Sequence, residues 1–207
     1  MQYVVNIETC WIAGLWAADR GNQAKGVVAI NNTNIDLLEN FKKMSLRNFD
    51  IEDSKFRHRI IKGYGISNEV YFTRLPARRF IENLIENREN LPRSETLAFL
   101  AGRLDGDGTV SKTGSSLCIY YGNKDKGELK KDEKMIKGLG FRTSSYRCGE
   151  KAMRLHILRP RFFANDILPF VKHLEKKERL KRLIRKRQYG AERTRPAPYV
   201  ATRFFEP

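Results

Sequence analysis

The sequence predicts an α+β fold made of two αββαββα repeats related by a pseudo-two-fold axis. Three observations predict it: a helix-like segment that occurs twice, the same order of helical and strand-like stretches after each copy, and a basic surplus carried on alternating strands. The first copy of the segment is NIETCWIAGLWAADRG at residues 6–21, and the second is SETLAFLAGRLDGDGT at residues 94–109. One constant offset sets Asp19 on Asp107, Ala13 on Ala101, Gly14 on Gly102 and Trp11 on Phe99. It also sets Asn6 on Ser94, both of them good N-cap residues. Each copy therefore reads as a helix that opens at a cap and closes in a Gly and Asp cluster.

The stretches that follow repeat as well. After the first helix come a β-rich run at 25–32, a helix over 34–47, strands at 54–62 and 68–74, and a helix opening at 75–85. After the second come a β-rich run at 115–124, a helix over 126–138, strands at 141–148 and 151–158, and a helical stretch at 158–168. A link near 88–93, containing Pro92, joins the halves, and a basic helix near 172–188 follows the second. The expected division is residues 1–90 for the first half, 91–190 for the second and 191–207 for an irregular tail.

The chain has 207 residues, 41% hydrophobic and 11% aromatic, enough for a core that needs no disulfides. Lys and Arg number 40 against 24 Asp and Glu, a formal net charge of +16 at pH 7. On a globular composition that surplus points to a polyanionic partner and excludes a disordered basic tail. Cys10, Cys118 and Cys148 are odd in number and lack C-x-x-C spacing, which argues for a reducing compartment and against a zinc ribbon. The longest apolar run, 11–18, is too short to span a bilayer, and the first residues lack the basic start of a secretory signal. A cytoplasmic protein with DNA or RNA as its polyanion and no membrane partner is the expectation. No phosphate-binding G-x-x-x-x-G-K-[ST] loop is present, so ATP-driven chemistry has no support.

Both repeated helices are rich in small residues, Ala13, Gly14, Ala17 and Ala18 in one, Ala101, Gly102 and Gly106 in the other. Such residues permit close helix crossing. If the copies pack on each other, their C-terminal ends bring Asp19 and Asp107 together. Two carboxylates so placed repel unless a cation lies between them, and hard ions such as Mg²⁺ suit carboxylate, carbonyl and phosphate ligands. For one copy taken alone, an Asp and Gly helix stop with no further role is the plainer reading.

The segments IAGLWAADRG (12–21) and LAGRLDGDG (100–108) resemble the two signature motifs of the LAGLIDADG homing endonucleases, in the single-chain form with two motifs, such as those encoded within archaeal introns. The resemblance extends over nearly the whole chain. It implies that the motif helices form the domain interface, and that the penultimate acidic residues, Asp19 and Asp107, bind the divalent metals that cleave the two DNA strands. The carbonyls of Ala18 and Gly106 become accessory metal ligands. Mg²⁺ is the implied cofactor, with Mn²⁺ able to substitute and Ca²⁺ supporting binding without cleavage. The departures from the pattern are Ala17 where Asp is frequent, Arg20 where Gly is usual and Arg103 where an apolar residue is common. The family also places a basic or polar residue at the end of the second strand of each repeat. Asn123 and Lys124 match in the second half, Lys124 as a catalytic cation, while the first half offers Asn31 and Asn32.

Residues 54–62 alternate so that Lys55, Arg57 and Arg59 share one face and Phe56, His58 and Ile60 the other. In 151–158, Arg154 and His156 oppose Met153, Leu155 and Ile157. Strands of this kind form a basic concave sheet able to enter a major groove. Lys25, Lys112, Asn123, Arg142 and Arg147 are further candidates for DNA contact. The resemblance makes this sheet a saddle, with cleavage across the minor groove that leaves short 3′ overhangs. The leading expectation is a monomeric, site-specific double-strand DNA endonuclease acting in intron homing. The alternatives are an RNA maturase that binds intron RNA and a non-catalytic DNA-binding regulator.

Overall fold

The computed structural model describes residues 3–21, 24–62, 66–122 and 125–185. Asn123, Lys124 and the expected tail at 191–207 lie outside these residues. Helix α1 (Ile7–Ala18) opens on Asn6, whose side chain accepts from the Thr9 N–H while the Thr9 hydroxyl accepts from the Asn6 N–H. Every residue from Thr9 to Trp16 is buried, so the helix is covered on all sides. Its copy α4 (Arg93–Asp107) is buried from Thr96 to Asp105.

These two helices cross at two glycines. A Cβ on Gly14 would run into the Phe99 carbonyl, 2.8 Å from its carbon, and one on Gly102 would stand 2.6 Å from the Leu15 nitrogen. Only hydrogen fits at either point, which explains why the repeat keeps glycine at both. The pairing of Asn6 with Ser94 as caps holds for Asn6 alone. The N-cap of α4 is Pro92, without a side-chain hydrogen bond, and the Ser94 hydroxyl donates to Glu95. Pro92, extended at ψ 164°, already turns the chain into the helix one residue ahead of Arg93.

In the first half, β1 (Val27–Asn32), α2 (Ile35–Asn48), β2 (Arg57–Lys62), β3 (Ile66–Thr73) and α3 (Leu75–Glu86) follow. Their antiparallel sheet has the order β1-β3-β2. In the second half come β4 (Gly108–Val110), β5 (Leu117–Gly122), α5 (Lys126–Gly138), β6 (Arg142–Cys148), β7 (Ala152–Leu158), α6 (Pro160–Ile167) and α7 (Leu174–Arg185). This sheet has the order β4-β5-β7-β6. Where the second half has β4, the first has, among the described residues, the bridge Arg20↔Ile30, flanked by hydrogen bonds from the Gly21 N–H to the Ala29 carbonyl and from the Asn31 N–H to the Asp19 carbonyl. The buried Val110 anchors β4 in the core.

The core runs unbroken through α1 and α4 into both sheets. In the first half it is aromatic, with Phe41, Phe49 and Phe56 all ringed around Phe72 at centroid separations of 5.2 to 6.1 Å. In the second half it also contains charge. Arg88, fully buried in the link, donates to Asp132 of α5 at 2.8 Å, and Asp132 accepts further from Arg103 of α4 at 3.1 Å and from the Tyr121 hydroxyl of β5 at 2.8 Å. Every charge in this cluster has an opposite partner, as burial of ions requires.

Candidate active site

Asp19 caps the C-terminus of α1, and Asp107 is the last residue of α4. The crossing of the helices brings these ends together. Gly106 makes the approach possible, because a Cβ there would lie 3.0 Å from Asp19 Oδ2. Burial raises the Asp107 pKa to about 6; the Arg103 guanidinium opposes that rise and the charge of Asp19 adds to it. Asp19 is also pushed up by burial, against the Asn32 hydrogen bond and the positive charges of Lys176 and Arg103.

Each acid has its own partner. Asn32 donates through Nδ2 to Asp19 Oδ2 at 2.6 Å. Arg103 stands 3.9 Å from Asp107 Oδ2, with its guanidinium 4.7 Å from the Tyr121 ring centroid. The departure at Arg103 is thus accounted for, since this side chain joins Asp107 to the buried Asp132 cluster. Arg20 lies 4.1 Å over the Trp16 ring. A cleft of about 520 Å³ opens beside Asp107, lined by Ala17, Ala18, Arg20, Arg103 and Tyr121 and by the carboxylates of Glu82, Glu86, Asp125 and Glu128.

Asn31 and Asn32 are not equivalent. Neighbours on a strand point to opposite faces, so only Asn32 reaches Asp19 with its side chain. Asn31 meets Asp19 through its backbone N–H and pairs in register with Glu69. Matching these two asparagines to Asn123 and Lys124 also misplaces them. The bridge Arg20↔Ile30 and the pair Gly108↔Ile119 make Tyr121 the counterpart of Asn32. Asn123 and Lys124, outside the described residues, fall in sequence between β5 and the α5 N-cap Asp125. The residue between β1 and the α2 N-cap Asn34 is Thr33.

Two residues that bear on the site went unread in the sequence. Asp105, wholly buried, accepts from the Trp11 indole at 2.8 Å and from the backbone N–H groups of Lys172 and His173 at 2.8 and 3.1 Å. Burial moves its pKa up to about 6 despite these bonds. Lys176 donates to the carbonyls of Leu104, Asp105 and Gly106. The Gly106 carbonyl, assigned to metal by resemblance, thus carries an ammonium group at 2.9 Å. The stretch 172–188 reads as a basic solvent face or DNA-backbone contact, and no local pattern separates Lys176 from its neighbours.

The sheet faces sort the basic candidates. Arg57 pairs with Tyr71 and Arg59 with Glu69, opposite the face on which His58, Val70 and the buried Ile30 lie in register. Arg59 is bound to Glu69 at 2.5 Å, so part of its charge is already answered. Lys55 does not share this face. It ends the 3₁₀ turn Asp53–Lys55, ahead of the strand. In the second sheet Tyr120, Arg154 and Tyr146 are register partners across three strands, and Arg154 donates to both tyrosine hydroxyls. His156 and Arg142 share that face by alternation. Arg147 does not, because its register partner Met153 lies on the side of Leu155 and Ile157. Lys25 and Lys112 are exposed in turns before β1 and β5.

Among the described residues no three His, Cys, Asp or Glu side chains form a self-sufficient cation cage. A divalent metal nevertheless suits the donors at the helix ends. They are two converging carboxylates, hard ligands that leave coordination positions to water and phosphate, as Mg²⁺ sites commonly do.

Residues 94–165 match the model of the LAGLIDADG-like domain. Mesophilic variants of the homing endonuclease I-DmoI are similar in structure, with a TM-score of 0.64 and 24% identity, over 79% of this chain and 90% of theirs. A single-substitution variant of I-DmoI in complex with its target DNA in the presence of Mg gives a TM-score of 0.64 at 22% identity, over 79% of this chain and 97% of that one. The homing endonuclease I-WcaI bound to its DNA recognition sequence gives 0.59 at 13% identity, over 86% and 88%. In sequence, an A-type ATP synthase polypeptide of Methanopyrus kandleri is 29% identical over 139 residues, which is 64% of this chain and only 13% of that protein.

Proposed function

We propose, from the LAGLIDADG-like domain matched at residues 94–165 and the fold shared with homing endonucleases, that the chain is a LAGLIDADG protein acting as a monomeric, site-specific double-strand DNA endonuclease inside the cell. The observation that carries the reading is the meeting of Asp19 and Asp107 at the ends of two crossing helices, each acid held by a different partner. The basic faces of the two sheets supply the charge to hold a duplex.

In this reading Asp19 and Asp107 hold Mg²⁺, which when bound polarises the scissile phosphate and activates water. Mn²⁺ replaces it, and Ca²⁺ supports binding alone. The chain's own residues set the geometry. Asn32 fixes the Asp19 carboxylate through Oδ2. Arg103, buried and held by Asp132, keeps a positive charge beside Asp107. Attack of water on phosphorus breaks the bond to the 3′ oxygen, which leaves with a proton. One such event on each strand across the minor groove produces short 3′ overhangs.

The test is incubation with a library of intron-insertion-like duplexes in Mg²⁺ and in Ca²⁺, comparing the native chain with Asp19→Asn and Asp107→Asn. Defined double-strand cuts in Mg²⁺ that become nicks or vanish in the variants are the expected result. Binding without cutting under every condition overturns the reading, and affinity for intron RNA then separates a maturase from a regulator.

A further inference from the structure

The second motif helix ends against an ammonium group that no motif supplies. Lys176, in the first turn of α7, donates at 2.8, 2.6 and 2.9 Å to the carbonyls of Leu104, Asp105 and Gly106. This is the carbonyl end of α4, where the helix dipole favours a cation and whose last turn has no basic residue, Arg103 lying one turn earlier. The lysine is held there. The backbone N–H groups of Lys172 and His173 donate to Asp105, and Leu180 and Leu183 bury the next turns of α7. His173 also lies within 3.3 Å of Asn34, so the same segment reaches the first half. Burial works against the charge on Lys176, while Asp105, Asp19 and Asp107 all work to keep it.

We infer that Lys176 is the resident cation of this site, a positioning residue that holds the Gly106 carbonyl and balances part of the charge of Asp19 and Asp107. A divalent ion at the two acids then binds against that charge and without that carbonyl. The inference rests on the proposed reading that these acids hold a divalent metal. It gives α7 a share in the site, although α7 follows the second repeat.

A clamp that only steadies the helix end and a charge that competes with metal predict opposite results, and Mn²⁺ binding to the full chain without DNA, followed by electron paramagnetic resonance, separates them. Lys176→Met is expected to tighten Mn²⁺ binding about tenfold, because it removes a like charge next to the ion. Lys176→Arg is expected to stay near the native affinity. Lys176→Gln, which keeps donors for the carbonyls and loses the charge, is expected to behave as Lys176→Met, and it covers the case in which the methionine variant does not fold by circular dichroism. Unchanged or weaker Mn²⁺ binding in a folded, charge-free variant overturns the inference. Mn²⁺ binding that Asp107→Asn leaves untouched overturns the two-acid metal reading itself, and the inference with it.

Discussion

The two halves of this molecule repeat one helix and treat its last acid differently. In the first half Asp19 is held by a neutral amide, Asn32, beside the bridge Arg20↔Ile30. In the second half Asp107 faces Arg103, and Arg103 belongs to a buried ion cluster with Asp132, Arg88 and Tyr121. The residue at the Arg103 position in the first half is Leu15, buried and apolar. A pseudo-two-fold axis relates the backbones; it does not make the half-sites chemically equal. Duplication fixes where the acids meet, and single substitutions beside them decide the field each one experiences.

The largest expected effect breaks the comparison at its centre. Asp19→Asn and Asp107→Asn should each lower double-strand cleavage by about a thousandfold, the scale for loss of a group that stabilises transition-state charge. On a supercoiled plasmid carrying the target, the two variants should leave nicks in opposite strands. The same strand nicked by both would mean that the halves do not divide the duplex between them.

Next is the crossing that places the acids. Gly14→Ala and Gly102→Ala each drive a methyl group into the backbone of the other helix, at a cost of about 3 kcal/mol. Urea denaturation should give similar losses for both, since this is the feature the halves share. Arg103→Leu then gives the second half the first half's residue. With Asp132 still paired to Arg88 and Tyr121, the loss should be about 2 kcal/mol, below the usual cost of stranding a buried charge. A loss as large as that of the glycine variants would show that Arg103 is the main support of the cluster.

Proton linkage offers a finer test. Asp107 in the folded chain keeps its proton up to about pH 6, whereas its ordinary value is 3.8. Between those values the folded state holds the extra proton, so stability falls as pH rises from 4 to 6 and stays lowered above. Asp107→Asn should therefore stabilise the chain above pH 6, by about 1.5 kcal/mol once solvent screening is allowed for, and change nothing at pH 3. Thermal melts at the two pH values check this. The smallest expected effect is at the helix starts. Asn6→Ala removes a reciprocal cap and should cost about 1 kcal/mol, while Ser94→Ala should be silent in the same melts.

Much of this was legible in the sequence because it depends on local periodicity. The repeat offset, the small residues at the crossing and the 2-residue alternation of Arg57 with Arg59 and of Arg154 with His156 follow from how a helix or strand displays its side chains. The misplaced face of Lys55 has a local cause too. Lys55 alternates correctly with Arg57 in sequence, yet a 3₁₀ turn places it ahead of the strand.

The sequence by itself determined the duplicated α+β unit, the helices that cross, and the two acids at their ends. It did so because glycine spacing and cap chemistry act within a few residues. Only the tertiary structure decided what surrounds those acids. The Asn32 contact depends on the register of β1 against residues 19–21, the Arg103 cluster on α5 and the link packing on α4, and the Lys176 contacts on the return of α7 to the end of α4. Each joins residues distant along the chain, and a sequence records no pattern for such contacts: they are fixed by burial and pairing of charges in a core that forms only when the whole chain is folded.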